Sequence, residues 1–294
     1  MKLQYYTAII LIMKQSAINK SFLICLFCFC SLAIHAQYYY KDIISNKEIQ
    51  KENQKIKTAN IHQIKIKSYE PGGETTEDFF CEKKYSKDYR SVQLTTKTPE
   101  TGASTMISKY DTCGYLLETY DSSELVVTQN KMLYDSLSRL TKIVSVSKSH
   151  DEDFISEIIE EHLYTYDEGT NPKSLVIIKN QKDTNLILFY LDENNRLSIE
   201  KDTKTAFKYY YYYDQSGRLT DIVHSNAYTQ QPIADYIFDY QADGELAGMT
   251  NAVGNKNNTL IWRYDYENGL RIKERAFNAD KKFLGKVEYE YIKQ

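Results

Sequence analysis

Residues Phe207–Val223 read FKYYYYYDQSGRLTDIV: five consecutive tyrosines run into Asp-x-x-Gly, and a leucine follows two residues later. Tyrosine and β-branched residues suit strands. Asp at the head of a tight turn bonds the amides ahead of it, and Gly in the fourth place accepts left-handed backbone. The stretch therefore predicts a β-hairpin closed by a type I turn, a left-handed residue and a bulge. The phrase recurs as KYDTCGYL from Lys109, LYDSLSRL from Leu133, YLDENNRL from Tyr190 and DYQADGEL from Asp239. Weaker copies are TYDEGTNPKSL from Thr165, RYDYENGLRI from Arg263 and AFNADKKF from Ala276.

The anchors Tyr110, Tyr134, Tyr166, Leu191, Tyr213, Tyr240 and Tyr264 recur roughly every 25 residues, a repeat period. The expected turn residues are Asp111, Gly114, Asp135, Asn195, Asp214, Gly217 and Gly244. Ser138 and Lys281 stand where glycine is favoured and predict looser hairpins. One hairpin cannot bury a face alone, so neighbours must stack. The expected fold is mostly β: one extended antiparallel sheet of repeated hairpins, with a short N-terminal helix. YYYDQSGRL, YDTCGYL and YDSLSRL resemble the YD repeat of Rhs-type wall and surface proteins, over roughly residues 106–294. The resemblance implies export, long hairpin sheets and carbohydrate binding or toxin encasement. This chain is read as too short to close a shell, and nothing in it matches the self-cleaving end of the large members, so a small binding or scaffold protein is what remains.

Residues 1–36 carry Lys14 and Lys20, the apolar run SFLICLFCFCSLAI and a small residue, Ala36, at the expected cut, the pattern of a secretory signal. Export to the periplasm, the outer surface or the medium is expected, with no membrane span after cleavage. That segment holds three lysines and no acid, so its loss takes the formal charge from −3 to −6. A mildly acidic chain without a basic block argues against nucleic acid. Residues 37–105 are expected to hold one helix and then strands leading into the sheet, and 106–294 the hairpin repeats. Cys81 and Cys113 remain after cleavage; in an oxidising compartment they either pair or stand as two isolated thiols.

Strand parity sorts the tyrosines, because successive side chains face opposite ways. Tyr209, Tyr211 and Tyr213 share the anchor face and read as core. Tyr210 and Tyr212 fall on the face that carries charge elsewhere, as does Tyr190 two strands away. Ser198 and Glu200, on the strand between, are expected on that same face. Rings with interspersed polar groups suit sugars, so Tyr190, Tyr210, Tyr212 and Glu200 form the candidate binding set. The ligand expected is a saccharide or an envelope protein.

Catalytic signals are sparse. His62, His150, His162 and His224 fall in no zinc spacing, no Gly-x-Ser-x-Gly elbow occurs, and no cofactor or metal is expected. The densest titratable stretch, HDEDFISEIIEEH from His150 to His162, reads as a solvated acidic loop and strand start. The reading favours a non-catalytic binding or scaffold protein of the bacterial envelope. The alternatives are a hydrolase using carboxylates such as Asp151 or Glu160, or a structural module that pairs with other proteins.

Overall fold

A computed structural model describes residues 38–99, 101–150, 157–225, 231–252 and 259–293. The expected signal segment and Asp151 lie outside them. The chain enters as a helix, α1 (Lys41–Thr58), built from Lys, Glu, Gln and Ile. Asp42 sits in its first turn and Lys55 and Lys57 in its last, each complementing the helix dipole. The strands that follow are β1 (Ile61–Tyr69), β2 (Phe80–Tyr85), β3 (Ser91–Thr98), β4 (Gly102–Tyr110), β5 (Leu116–Ser123) and β6 (Val126–Tyr134). Next come β7 (Leu140–Ser149), β8 (Glu157–Thr165), β9 (Ser174–Lys179), β10 (Asp183–Leu191), β11 (Leu197–Asp202) and β12 (Lys208–Tyr213). The last six are β13 (Leu219–Ser225), β14 (Pro232–Tyr240), β15 (Leu246–Asn251), β16 (Leu260–Glu267), β17 (Leu270–Asn278) and β18 (Phe283–Lys293).

Every strand pairs antiparallel with its sequence neighbours, and β1 also pairs with β18. The expected extended sheet is therefore a closed barrel of eighteen strands. The first strand is the closing element. Ile64 and Ile66 face inward opposite Tyr291 and Tyr289, while Lys65 and Lys67 oppose Glu290 and Glu288 outside. Apolar matching within and charge matching without favour this register. Closure leaves no unpaired edge among these strands, so recruitment of a partner through an open edge has no template.

The YD phrases anchored from Tyr110 to Tyr264 lie at one end of the barrel, and four of them share one turn geometry. The Asp carboxylate accepts the amides two and four residues ahead: Cys113 and Tyr115 at Asp111, Leu137 and Arg139 at Asp135, Asn194 and Arg196 at Asp192, Ser216 and Arg218 at Asp214. The fourth residue has positive φ at Gly114, Ser138, Asn195, Gly217 and Gly244. Ser138 and Lys281 do not loosen their hairpins. Both take φ near +60° and keep the same amide bonds, at the expense of left-handed strain in a residue with a Cβ. AFNADKKF caps the opposite end, between β17 and β18, so its anchor Phe277 pairs with Phe283 on the outer wall rather than facing the lumen.

After six of these turns the ladder skips one residue: Tyr213 pairs Leu219 but Tyr212 pairs Asp221, and β4–β5, β6–β7, β10–β11, β14–β15 and β16–β17 repeat the skip, whereas β8–β9 keeps its register. The bulge resets the inside–outside alternation on each of those six outgoing strands.

The inward face is aromatic and aliphatic: Tyr110, Tyr164, Tyr209, Tyr211, Tyr236, Trp262 and Tyr264 are buried with Ile187, Leu197, Ile222 and Val287. Eighteen strands enclose a lumen that side chains alone leave open as a channel. Large rings fill part of it, and α1 fills more. Asn46 of the helix donates to Tyr134 on β6, Gln50 to the Cys113 carbonyl in the β4–β5 turn, and Lys83 on β2 donates to Glu52. Lys55 pairs with Glu245 in the β14–β15 turn. Contacts to strands all around the wall place the helix within the barrel, at the YD end. The outer wall carries cross-strand ion pairs on opposite sides, among them Lys109–Glu118, Lys142–Glu161, Arg263–Asp239 and Arg275–Asp265.

Candidate functional site

Neighbouring YD units are clamped together by a relay the sequence reading missed. The residue after the turn is arginine in three units, and its guanidinium returns to the turn Asp: Arg139 to Asp135, Arg196 to Asp192, Arg218 to Asp214, at 2.7–2.8 Å. The same groups lie over the next unit's anchor ring, Arg139 on Tyr166, Arg196 on Tyr213 and Arg218 on Tyr240, 4.6–4.8 Å from the centroid. Each of those phenols donates to a carbonyl of the preceding unit: Tyr166 to Leu140, Tyr213 to Leu197, Tyr240 to Leu219, all at 2.8 Å. A charged stack and a partly buried hydrogen bond per junction contribute about 1–2 kcal/mol together. The signal was present in the recurring Arg-Leu that ends SRL, NRL and GRL.

The outer wall holds the candidate tyrosines. Along one ladder row, Tyr190 opposes Ile199, Ile199 opposes Tyr210, and Tyr210 opposes Val223. Two strand spacings, ~10 Å, separate the two rings. Tyr212 lies two residues further along β12, opposite Asp221. Tyr190 and Tyr212 are 47% and 51% exposed, and Val223 is buried between its neighbours. Three rings and an isoleucine thus share one patch on a wall otherwise rich in ion pairs.

Glu200 does not belong to that patch. The bulge at Ser198 turns Ile199 outward and Glu200 inward, opposite Tyr209 and Phe189, where it is only 3% exposed. Its carboxylate accepts the Tyr39 amide at 2.7 Å, the Tyr40 amide at 3.0 Å and the Tyr211 hydroxyl at 2.8 Å. It therefore clasps the chain where it enters α1, a junction with no side-chain cap of its own. Burial pushes its pKa up to about 7 against the pull of these three donors.

A second clasp sits beside it. Asp42 accepts the Tyr164 hydroxyl at 2.8 Å and lies 2.9 Å from Nδ1 of His162. The Nε2 of His162 lies 2.8 Å from Glu160, which is also 3.1 Å from Lys179. Burial disfavours the imidazolium, yet the two flanking carboxylates outweigh it and hold the His162 pKa at about 9. The hydrogen bond from His162 in turn draws Glu160 down to about 2. Both ring nitrogens are engaged by carboxylates, Nδ1 by Asp42 and Nε2 by Glu160. The geometry of this cluster serves to fix the helix to β8.

Cys81 and Cys113 are not paired. Cys81 faces inward on β2 opposite Ile66, where burial pushes its thiol up to about 12, while Cys113 is exposed in the β4–β5 turn. Among the described residues no group of three His, Cys, Asp or Glu is gathered to hold a metal ion.

No protein-family model matches the chain, and no curated protein matches it. Among solved structures, a TcdB2-TccC3-Cdc42 toxin structure is similar over 74% of this chain and 12% of that one, at 16% identity and a TM-score of 0.38. A porin-like protein from Bacteroides uniformis is similar over 79% of this chain and 98% of that one, at 9% identity and TM-score 0.37. Another from Bacteroides vulgatus gives the same coverage at 12% identity and 0.26. This chain spans about an eighth of the toxin chain's length.

Proposed function

We propose that the chain is an exported, non-catalytic binding protein of the bacterial envelope, a short relative of the YD-repeat proteins whose outer wall takes a saccharide. The observation that carries this reading is the half-exposed row Tyr190–Ile199–Tyr210 with Tyr212 beside it. A sugar's C–H face stacks on such rings, while its hydroxyls reach polar neighbours such as Asp221. The lumen supports the non-catalytic part: its titratable groups are hydrogen-bonded to one another around α1. Ion pairs on the outer wall support a barrel that meets water rather than acyl chains, which would require an apolar band.

The test is retention on insoluble polysaccharides by wild type and by a Tyr190→Ala/Tyr210→Ala/Tyr212→Ala variant. Loss of retention with unchanged circular dichroism supports the site; equal retention by both removes it. A second reading has its own observation. Leu117, Leu133 and Leu137 are exposed on β5, β6 and the β6–β7 turn at the YD end, which favours a scaffold docking another protein there. Chemical cross-linking in envelope extract, with and without Leu133→Lys/Leu137→Lys, separates the two.

A further inference from the structure

Far from the tyrosine row, toward the end of the barrel opposite the YD turns, β5, β6 and β7 enclose a groove of about 410 Å³ on the outer wall. That volume lies within the range of small-molecule sites. Its ladder row runs Tyr120–Gln129–Val146, without a formal charge, and Val127 and Lys148 make the next row. Tyr120, Val127 and Val146 form an apolar floor, with the Tyr120 ring 43% exposed. Gln129, Lys148 and His150 line the groove alongside them.

The polar groups are held in place. Lys109 bonds Glu118 at 2.9 Å, and the Gln129 side-chain amide donates to the other oxygen of Glu118 at 2.5 Å. With its N–H engaged there, Gln129 has its carbonyl oxygen to offer as an acceptor. Lys148 is neutralised by Glu157 at 2.5 Å, and the backbone of His150 is fixed by a bond to the Leu125 carbonyl. An aromatic floor, a pinned acceptor and a balanced charge complement a neutral ring with one apolar face and hydroxyl donors at its edge.

We propose that this groove is a second ligand site that takes a single neutral pyranose. It shares the saccharide class with the function proposed above but uses none of the same residues. The full chain, titrated with methyl α- and β-pyranosides of glucose, galactose and mannose, is followed by NMR at the Gln129 side-chain amide. At least one glycoside is expected to shift that signal saturably. Tyr120→Ala is expected to weaken the response about fivefold or more, the scale of one ring contact. The Tyr190/Tyr210/Tyr212 triple variant is expected to leave it unchanged, so failure of one site is distinguishable from failure of the other. Lack of response to all six glycosides, or a response that Tyr120→Ala leaves intact, overturns the assignment. Tyr120→Leu, which keeps an apolar side chain at that position but removes the ring, provides a second variant expected to lose the response at the Gln129 amide should Tyr120→Ala fail to fold.

Discussion

The pH dependence of stability follows from the two clasps on α1, and its sign is fixed by the shifts. His162 has a folded pKa of about 9 against an ordinary value of 6.5. A raised pKa contributes stability that is fully present below pH 6.5 and lost as pH rises through 9. Holding the imidazolium at about 9 rather than 6.5 corresponds to on the order of 3 kcal/mol. The side chain is only 12% exposed, so solvent screening takes little from this figure. Glu200, raised to about 7 from 4.5, acts with the same sign at lower pH: its contribution is present below 4.5 and gone above 7. Glu160, lowered to about 2, acts oppositely and destabilises only as pH falls below 4.5. The barrel is therefore expected to be most stable near pH 5 and to weaken steadily toward pH 9.5. Urea unfolding read through Trp262, the sole tryptophan and a buried one, measures this at pH 5, 7 and 9.5. His162→Gln is expected to be less stable at pH 7 and to lose the further decline between pH 7 and 9.5. Parallel wild-type and variant profiles over that window would refute the imidazolium clasp.

Other consequences are smaller and separable. Arg218→Ala removes the stack on Tyr240 and the return to Asp214, and is expected to lower unfolding free energy by about 1–2 kcal/mol, with Arg218→Lys rescuing little of it. Ser138→Gly relieves a left-handed residue and is expected to stabilise by up to about 1 kcal/mol, whereas Gly217→Ala at φ +77° is expected to cost about that much; thermal melts of the pair check both. Tyr240→Phe leaves the Leu219 carbonyl without its phenol and is expected to cost about 1 kcal/mol in the same urea assay.

The turns were legible because their cause is local: Asp111, Asp135 and Asp214 each bond amides within four residues, and Gly114, Gly217 and Asn195 supply the left-handed step. The inward place of Tyr209, Tyr211 and Tyr213 was legible for a similar reason, since they precede the bulge and strict alternation holds up to it. Past the bulge the same count fails, and that is why Glu200 was assigned to the wrong wall. Closure was hidden because it joins Ile61–Tyr69 to Lys286–Lys293 across nearly the whole chain. No local pattern announces such a contact, although the lysines of KIK and the glutamates of EYEY are complementary once set opposite each other. The helix was visible in its composition, but its place in the lumen depends on Tyr134, His162 and Glu200, each far away in sequence.

The seam between the first and last strands is the feature on which lumen, plug and wall all depend. Lys67 and Glu288 face each other across it, and cysteines placed at both positions in a Cys81→Ala/Cys113→Ser background test it directly. A closed barrel gives rapid, near-complete cross-linking under mild oxidation, seen as a faster-migrating monomer with native circular dichroism. Persistence of two free thiols in a folded chain, with Lys67→Cys reacting no faster than it would with a cysteine on β9, would show that the sheet is open.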